Sequence, residues 1–101
     1  MASDSKIIWS DESLKNLDEI LSYLNREWSQ TETNAFIANL FKFIDLISSN
    51  PELFPRSDFN PSLRRAVMSK QTSIFYKAES GVIHLVSIFN NRKSIERIKQ
   101  D

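Results

Sequence analysis

A change in the spacing of apolar residues near residue 63 is the feature that most constrains how this chain of 101 residues can fold. Before it, apolar residues recur every three or four positions, which is the period of one face of a helix. After it, β-branched and aromatic residues fill three short runs that are separated by gaps of turn size. The two periods therefore predict one α+β domain over residues 1–101, with its helices first and its consecutive strands after them.

The N-terminal half is predicted to contain one short strand, Lys6–Trp9, and then two helices. Ser10 fits a helix N-cap, and Asp11 and Glu12 place negative charge in the first turn, where the helix dipole favours it. The first helix has one apolar stripe, which predicts the residues of its buried face: Leu14, Leu17, Leu21, Leu24 and Trp28.

The second helix is predicted to follow at once, because residues 29–32 match a capping box. Asn50 and Pro51 should end it, since proline disfavours helical geometry in the residue before it. Two amphipathic helices with so short a connection are expected to pair as an antiparallel hairpin. Phe41 lies off the apolar stripe of the second helix and, if exposed, is a candidate for a groove that holds a partner. The predicted buried residues of that helix are Phe36, Ile37, Leu40, Phe43, Ile44 and Ile47.

The C-terminal half is predicted to form an antiparallel meander of three strands, Arg64–Ser69, Thr72–Lys77 and Val82–Phe89. The single glycine, Gly81, lies where the second turn needs a positive φ. Apolar residues on both faces of the last run predict a central strand with strict alternation, so that Ile83, Leu85, Ser87 and Phe89 share one face. A short helix, Ser94–Lys99, is predicted to follow.

The two halves of the chain carry opposite charge, although the total is zero. Residues 1–55 contain four basic and nine acidic side chains, a net charge of −5, and residues 56–101 contain nine basic and four acidic ones, a net charge of +5. Such asymmetry predicts a basic, strand-rich surface for an anionic partner, such as nucleic acid, a nucleic-acid enzyme or an acidic peptide.

Composition excludes several other classes. The chain has no cysteine and one histidine, so neither a disulfide framework nor a metal site is expected, and no motif implies a cofactor. No apolar run approaches the roughly 20 residues of a membrane span, and the N-terminus lacks the apolar core of a signal peptide. We therefore expect a cytoplasmic protein with no membrane partner.

The order of these elements resembles that of the RelE/ParE superfamily of bacterial toxins, which belong to type II toxin–antitoxin modules. The resemblance covers nearly the whole chain and rests on short segments in a fixed order, which are residues 7–10, 23–24, 28–29, 36–47, 50–55, 63–67, 73–76, 83–89 and 91–92. It implies an α+β fold in which an antiparallel sheet, with a three-stranded C-terminal meander, packs against an N-terminal helical hairpin.

The resemblance implies two alternative functions. ParE-like members bind DNA gyrase and trap it on cleaved DNA, whereas RelE-like members cut messenger RNA on the ribosome. In both branches a cognate antitoxin neutralises the toxin, so a hetero-oligomer with the antitoxin is expected, and a toxin homodimer is an open alternative. A member that has lost its activity and only binds its antitoxin is a third class.

The candidate site residues differ between these functions. A nuclease needs groups that move protons and cations that stabilise the charged phosphorane, and the candidates are Arg64, Lys70, Arg92 and, as a base, His84. For a protein target, the leading contacts are Arg65, Arg92 and Lys93. Ser73 lies three residues before the tyrosine of the second predicted meander strand, at a position where RelE-like chains commonly have an arginine. The sequence therefore favours a ParE-like toxin that binds a nucleic-acid enzyme, with ribosome-dependent RNA cleavage as the alternative.

Overall fold

The structure is a computed structural model that describes residues 5–58 and 60–90. Its elements are one strand, two helices and three further strands in chain order. They are β1 (Lys6–Trp9), α1 (Asp11–Glu27), α2 (Gln30–Ser49), β2 (Arg64–Val67), β3 (Thr72–Glu79) and β4 (Val82–Asn90). The predicted helix Ser94–Lys99 lies outside the described residues.

Both helices begin at the serine caps that the sequence predicts. The Ser10 hydroxyl accepts a hydrogen bond of 2.9 Å from the backbone N–H of Ser13, and the Ser29 hydroxyl accepts one of 3.2 Å from the N–H of Glu32. Each bond satisfies one of the N–H groups that the first turn of a helix leaves without a partner. Asn50 is the C-cap of α2, so the predicted end of this helix is also confirmed.

The four strands form one sheet in the order β1-β4-β3-β2. The meander is confirmed, since β2 and β3, and then β3 and β4, pair antiparallel. β1, however, pairs parallel with β4, so the sheet is mixed rather than antiparallel throughout. Parallel neighbours need a long crossover connection, and the helical hairpin with the first two meander strands provides it. β4 lies between β1 and β3 and is therefore a central strand, as predicted.

The turn between β3 and β4 has the backbone that its glycine predicts. Ser80 has φ of 48° and Gly81 has φ of 78°. A two-residue hairpin with positive φ at both positions matches the right-handed twist of the strands that it joins.

The predicted strict alternation of β4 is wrong after Leu85. The register between β3 and β4 shifts at Phe75 and Tyr76, and Val86 has no partner in it. This extra residue is a β-bulge, which turns the side chains beyond it onto the opposite face. As a result Ile88, rather than Ser87, joins Leu85 in the core.

The buried face of α1 is rotated away from its leucine stripe. Leu14 and Trp28, which the stripe predicts to be buried, are 50% and 49% exposed. Ile20 and Tyr23 are buried instead, together with Leu24. The stripe prediction is wrong at those two positions, because α1 packs mainly against β4 and this contact, not the number of leucines, decides the orientation of the helix.

The core lies between the helices and one face of the sheet. The predicted face of α2 is confirmed, with Leu40, Ile44 and Ile47 buried. The Phe54 ring, in the loop after α2, stacks on the Phe43 ring at a centroid distance of 6.0 Å. The other core residues include Ile20, Tyr23, Leu24, Ala66, Ile74, Tyr76, Ile83, Leu85 and Ile88.

Candidate partner-binding surface

The sheet has a second face, and the strand residues that alternate with the core residues lie on it. We call this the outer face. Three of its apolar side chains are exposed, namely Ile8, Val67 and Phe89. Its polar side chains include Arg65, Ser73, Lys77 and His84, which the strand registers place between core positions.

Arg65 is held in place on the outer face by two neighbours. Its Nε donates a hydrogen bond of 3.1 Å to the hydroxyl of Ser73 on the adjacent strand. Its guanidinium carbon also lies 5.9 Å from the centroid of the Phe75 ring, which is within the range of a cation–π contact. The side chain is exposed overall, so its remaining donors can reach a partner. A guanidinium in a fixed orientation suits recognition of a carboxylate or phosphate.

Arg64 points the other way, as expected for neighbours on a strand. Its Nη1 donates a hydrogen bond of 2.8 Å to the carbonyl oxygen of Phe54 in the loop after α2. The hydroxyl of Tyr76, its partner in the register with β3, donates one of 2.7 Å to the carbonyl oxygen of Pro51 in the same loop. Burial raises the pKa of Tyr76 above its ordinary value, and the positive charge of Arg64 offsets part of that rise. Arg64 therefore contacts the loop rather than the outer face.

His84 lies on the outer face near the opposite end of the sheet from Lys70. It is half-buried and pairs in register with Ile8 on one side and Lys77 on the other. The Nζ atom of Lys77 lies 3.6 Å from a carboxylate oxygen of Glu79, so these two exposed side chains form an ion pair.

The nuclease candidates among the described residues do not form one cluster. Lys70 is exposed in the turn between β2 and β3. Lys77, which pairs with His84 in the register, is seven residues after Lys70 in the chain. At the rise of a strand this separation is roughly 20 Å. Arg64 contacts the loop after α2. Arg92 and Lys93 lie outside the described residues. β4 ends at Asn90, which pairs with Thr72 beside the turn that holds Lys70.

Sequence reasoning missed what fixes Arg65. In the sequence, Ser73 is notable only because RelE-like chains commonly have an arginine at this position. In the structure, its hydroxyl accepts the hydrogen bond from Arg65. The contact between residues 65 and 73 depends on the register of the hairpin that joins β2 and β3. It could be predicted from the sequence only if that register were already known.

The described residues contain neither a metal site nor a membrane-spanning helix. In residues 5–58 and 60–90, no three histidine or acidic side chains come together as a metal site would need. No helix in this part of the chain is long and apolar enough to cross a membrane.

Comparison with protein-family models identifies the family. Residues 7–95 match the model described as the ParE toxin of the type II toxin–antitoxin system, parDE. The chain belongs to the ParE toxin family. A comparison with curated proteins gives no significant match.

Solved structures confirm the fold of this ParE family member. A chain of the chromosomal ParDE system from P. aeruginosa superposes with a TM-score of 0.73 at 11% identity, covering 88% of this chain and 98% of the other. The E. coli DinJ–YafQ complex contains a chain with a TM-score of 0.60 at 13% identity, covering 87% and 94%. The isolated E. coli RelE toxin gives 0.57 at 14% identity, covering 95% and 97%. The chain therefore has the RelE/ParE toxin fold, and as a ParE-type toxin it is a component of a toxin–antitoxin system.

Proposed function

We propose that this ParE family member inhibits bacterial growth by binding a nucleic-acid enzyme such as DNA gyrase. The observation that carries the proposal is the match of residues 7–95 to the ParE branch of the superfamily. The fold itself does not discriminate, because solved toxins of both branches share it.

The geometry of the outer face supports a toxin that acts by binding a protein target. Arg65 is exposed and oriented by Ser73 and Phe75, and two apolar side chains, Val67 and Phe89, are exposed on the same face. Arginine among apolar and aromatic side chains is typical of the residues that contribute most to protein interfaces. Arg92 and Lys93 are proposed to extend this contact, as the sequence predicts.

The alternative, ribosome-dependent RNA cleavage, is less well supported. General acid–base catalysis needs groups within hydrogen-bond reach of the same substrate atoms. Arg64 is hydrogen bonded to the loop and Lys70 lies at the far end of the sheet from His84, so a substrate would contact these candidates at separate places.

We also propose that a cognate antitoxin neutralises this toxin. Solved relatives come from the ParDE system and from a DinJ–YafQ toxin–antitoxin complex. The antitoxin of this chain should carry acidic side chains for Arg65 and cover at least part of the outer face.

Arg65→Ala tests the proposed site. We expect induced expression of the native chain to reduce colony formation in a bacterial host, and we expect Arg65→Ala to restore it at equal soluble expression. Loss of a buried arginine contact at an interface costs about 2 kcal/mol or more, or roughly thirtyfold in affinity. In vitro, the native chain should inhibit gyrase supercoiling, and the variant should need a correspondingly higher concentration.

Lys15→Ala is the matched control, since Lys15 is an exposed cation on α1, away from the sheet. It should leave toxicity unchanged. New 5′ ends within translated messages, without inhibition of supercoiling, would contradict the proposal and support RNA cleavage. Normal growth with folded protein and an unaffected gyrase would instead support the class that only binds its antitoxin.

A further inference from the structure

The loop after α2 places two arginines side by side at the edge of the sheet. Arg56 forms an isolated antiparallel bridge with Arg64, the first residue of β2. One backbone hydrogen bond flanks the bridge on each side, from Ser57 to Leu63 at 2.8 Å and from Arg65 to Pro55 at 2.9 Å. Bridged residues between two such bonds are the closer kind of antiparallel pair, with Cα atoms about 4.5 Å apart and side chains on the same face.

Each guanidinium of this pair is held by one backbone carbonyl. Nη1 of Arg56 donates a hydrogen bond of 2.9 Å to the carbonyl oxygen of Pro61, and Nη1 of Arg64 donates one of 2.8 Å to that of Phe54. An arginine has five N–H donors, so most donors of each side chain remain for a ligand. Both arginines line one surface depression of about 330 Å³. We call it the arginine depression, and its lining also includes Glu52, Lys77, Ala78 and Glu79.

The positive charge of the two arginines is not balanced by acidic side chains. Among residues 5–58 and 60–90, the ion pairs join Arg26 to Glu27 and Lys77 to Glu79, so neither arginine of the depression takes part in one. Like charges directly opposite each other on neighbouring strands destabilise a sheet. Arg64 is also half-buried, which reduces the screening of its charge by water. An anion bound in the depression would offset this repulsion.

We propose that the arginine depression binds the terminal phosphate group of a small molecule. A phosphate monoester has a charge near −2 at neutral pH and three terminal oxygens, so it can accept hydrogen bonds from both guanidinium groups at once. A carboxylate has a charge of −1 and two oxygens, and the fork of a single arginine can occupy both. The volume of the depression lies at the lower end of the range for small-molecule sites. Charge and size therefore both favour a small phosphorylated ligand.

The arginine depression is separate from the proposed contact with a protein target. Arg64 and Arg65 are neighbours on β2, so their side chains point to opposite faces. Lys77 belongs to the outer face and also lines the depression, but its ammonium group is paired with Glu79. A ligand held by Arg56 and Arg64 therefore leaves Arg65 exposed. Binding is measured on the purified chain, so the result does not depend on whether the chain is toxic.

Titration of the isotopically labelled chain, followed by NMR at constant ionic strength, tests the proposal with two probes, inorganic phosphate and a nucleoside 5′-monophosphate. We expect saturable shifts of the amide signals of Arg56, Arg64 and Ala78, which line the depression, and a Kd of about 1 mM for inorganic phosphate. Equal affinities would identify phosphate as the whole ligand, whereas tighter binding of the nucleotide would identify a phosphorylated nucleoside. The absence of saturable shifts at these residues with both probes would overturn the proposal.

Dimethyl phosphate tests the requirement for a doubly charged ligand. It is a diester with a charge of −1 and two terminal oxygens, so it should bind about tenfold more weakly than inorganic phosphate near neutral pH. Equal affinity for the diester would contradict joint binding by two arginines.

Arg56→Gln tests the site itself. It removes one charge and keeps a donor for the carbonyl of Pro61, so phosphate should bind about tenfold more weakly or worse. Arg26→Gln is the matched control, since Arg26 is an exposed arginine at the end of α1, and it should change the affinity less than about twofold. Equal affinities of the two variants would place the bound phosphate elsewhere and overturn the proposal.

Glu52→Gln should change the affinity in the opposite direction. Glu52 lines the depression and is exposed, so its carboxylate repels an anion there, and its removal should strengthen phosphate binding about threefold. Arg56 is exposed as well, so the circular dichroism spectra of both variants should match that of the native chain. Weaker phosphate binding in Glu52→Gln would contradict an anion site in the depression.

Discussion

Two side chains of the sheet attach the loop between α2 and β2 to the rest of the molecule. Tyr76 and Arg64 lie opposite each other in β3 and β2, and they donate hydrogen bonds to the carbonyl oxygens of Pro51 and Phe54. Tyr76 is fully buried, with 0% of its surface exposed. A carbonyl that is shielded from water and has no donor costs free energy, so these two hydrogen bonds help to hold the loop, together with the backbone bond from Arg65 to Pro55.

Tyr76→Phe is expected to lower the free energy of unfolding by about 1 kcal/mol, because the Pro51 carbonyl loses its donor while the ring remains packed. Urea denaturation near neutral pH measures the change. Tyr23→Phe, which alters the other tyrosine of the chain, provides a comparison at a second buried ring. No loss of stability in Tyr76→Phe would mean that the hydroxyl does not contribute to holding the loop.

The pH dependence of stability provides a separate test at the same residue. Because burial raises the pKa of Tyr76 in the folded state, the folded protein holds this proton more tightly than the unfolded chain, whose tyrosine pKa is about 10. The resulting stabilisation is complete below about pH 10 and is lost as the pH rises through the folded-state pKa. We expect the free energy of unfolding to fall more steeply above about pH 10 in the native chain than in Tyr76→Phe. Parallel curves for the two proteins would contradict this.

At the scale of elements, Ser10 joins a helix end to the sheet. Its hydroxyl accepts from the N–H of Ser13 and donates a hydrogen bond of 2.7 Å to the carbonyl oxygen of Val86. Val86 is the bulged residue of β4 and has no partner in the register with β3. One side chain therefore caps α1 and bonds to β4 at the bulge, so α1 and β4 are aligned at this point.

Ser10→Ala should destabilise the protein more than Ser29→Ala does. The Ser29 cap is exposed and its side chain accepts only the Glu32 N–H in the described hydrogen bonds, so its loss should cost about 0.5–1 kcal/mol. Loss of Ser10 removes a cap and the partner of a strand carbonyl, and about 2 kcal/mol is expected. Thermal unfolding of the two variants measures the difference, and equal effects would show that the bond to Val86 contributes nothing.

For the whole molecule, the separation of charge along the sequence becomes a separation between layers. The two helices carry seven acidic and three basic side chains. The strands carry four basic side chains, Lys6, Arg64, Arg65 and Lys77, against one acidic side chain, Glu79. A molecule of zero net charge can therefore attract an anionic partner to its sheet.

Binding of an acidic peptide should depend strongly on salt. With polyglutamate as a defined probe, we expect the affinity to fall about tenfold between low salt and roughly 0.5 M, where the Debye length is only a few ångströms. Arg65→Glu should weaken low-salt binding several-fold, whereas Lys15→Glu on the acidic helical layer should change it less than about twofold. Fluorescence anisotropy measures both, and equal effects of the two reversals would contradict binding at the outer face.

The local structure of this protein follows from its sequence alone. The helix ends and a turn are marked by Ser10, Ser29, Asn50 and Gly81, whose caps and backbone angles involve groups within a few residues in the chain. Only the additional bond from Ser10 to Val86, among those described for these four residues, is distant in sequence. Residue spacing predicts the meander for the same reason, because hairpins pair strands that are neighbours in sequence. Even the opposite directions of Arg64 and Arg65 follow from the alternation of a strand.

Features that depend on contacts distant in sequence come from the assembled fold. β1 pairs parallel with β4, which begins 76 residues after Lys6, and no local pattern encodes that partner. The packing of α1 on β4 buries Ile20 and leaves Leu14 exposed, because an apolar stripe limits the buried face of a helix but the opposing surface selects it. The bulge at Val86, in turn, changes which residues of β4 reach the core. The order of elements could thus be predicted from the sequence, whereas the mixed pairing of the sheet, the orientation of α1 and the fixed position of Arg65 depend on long-range contacts.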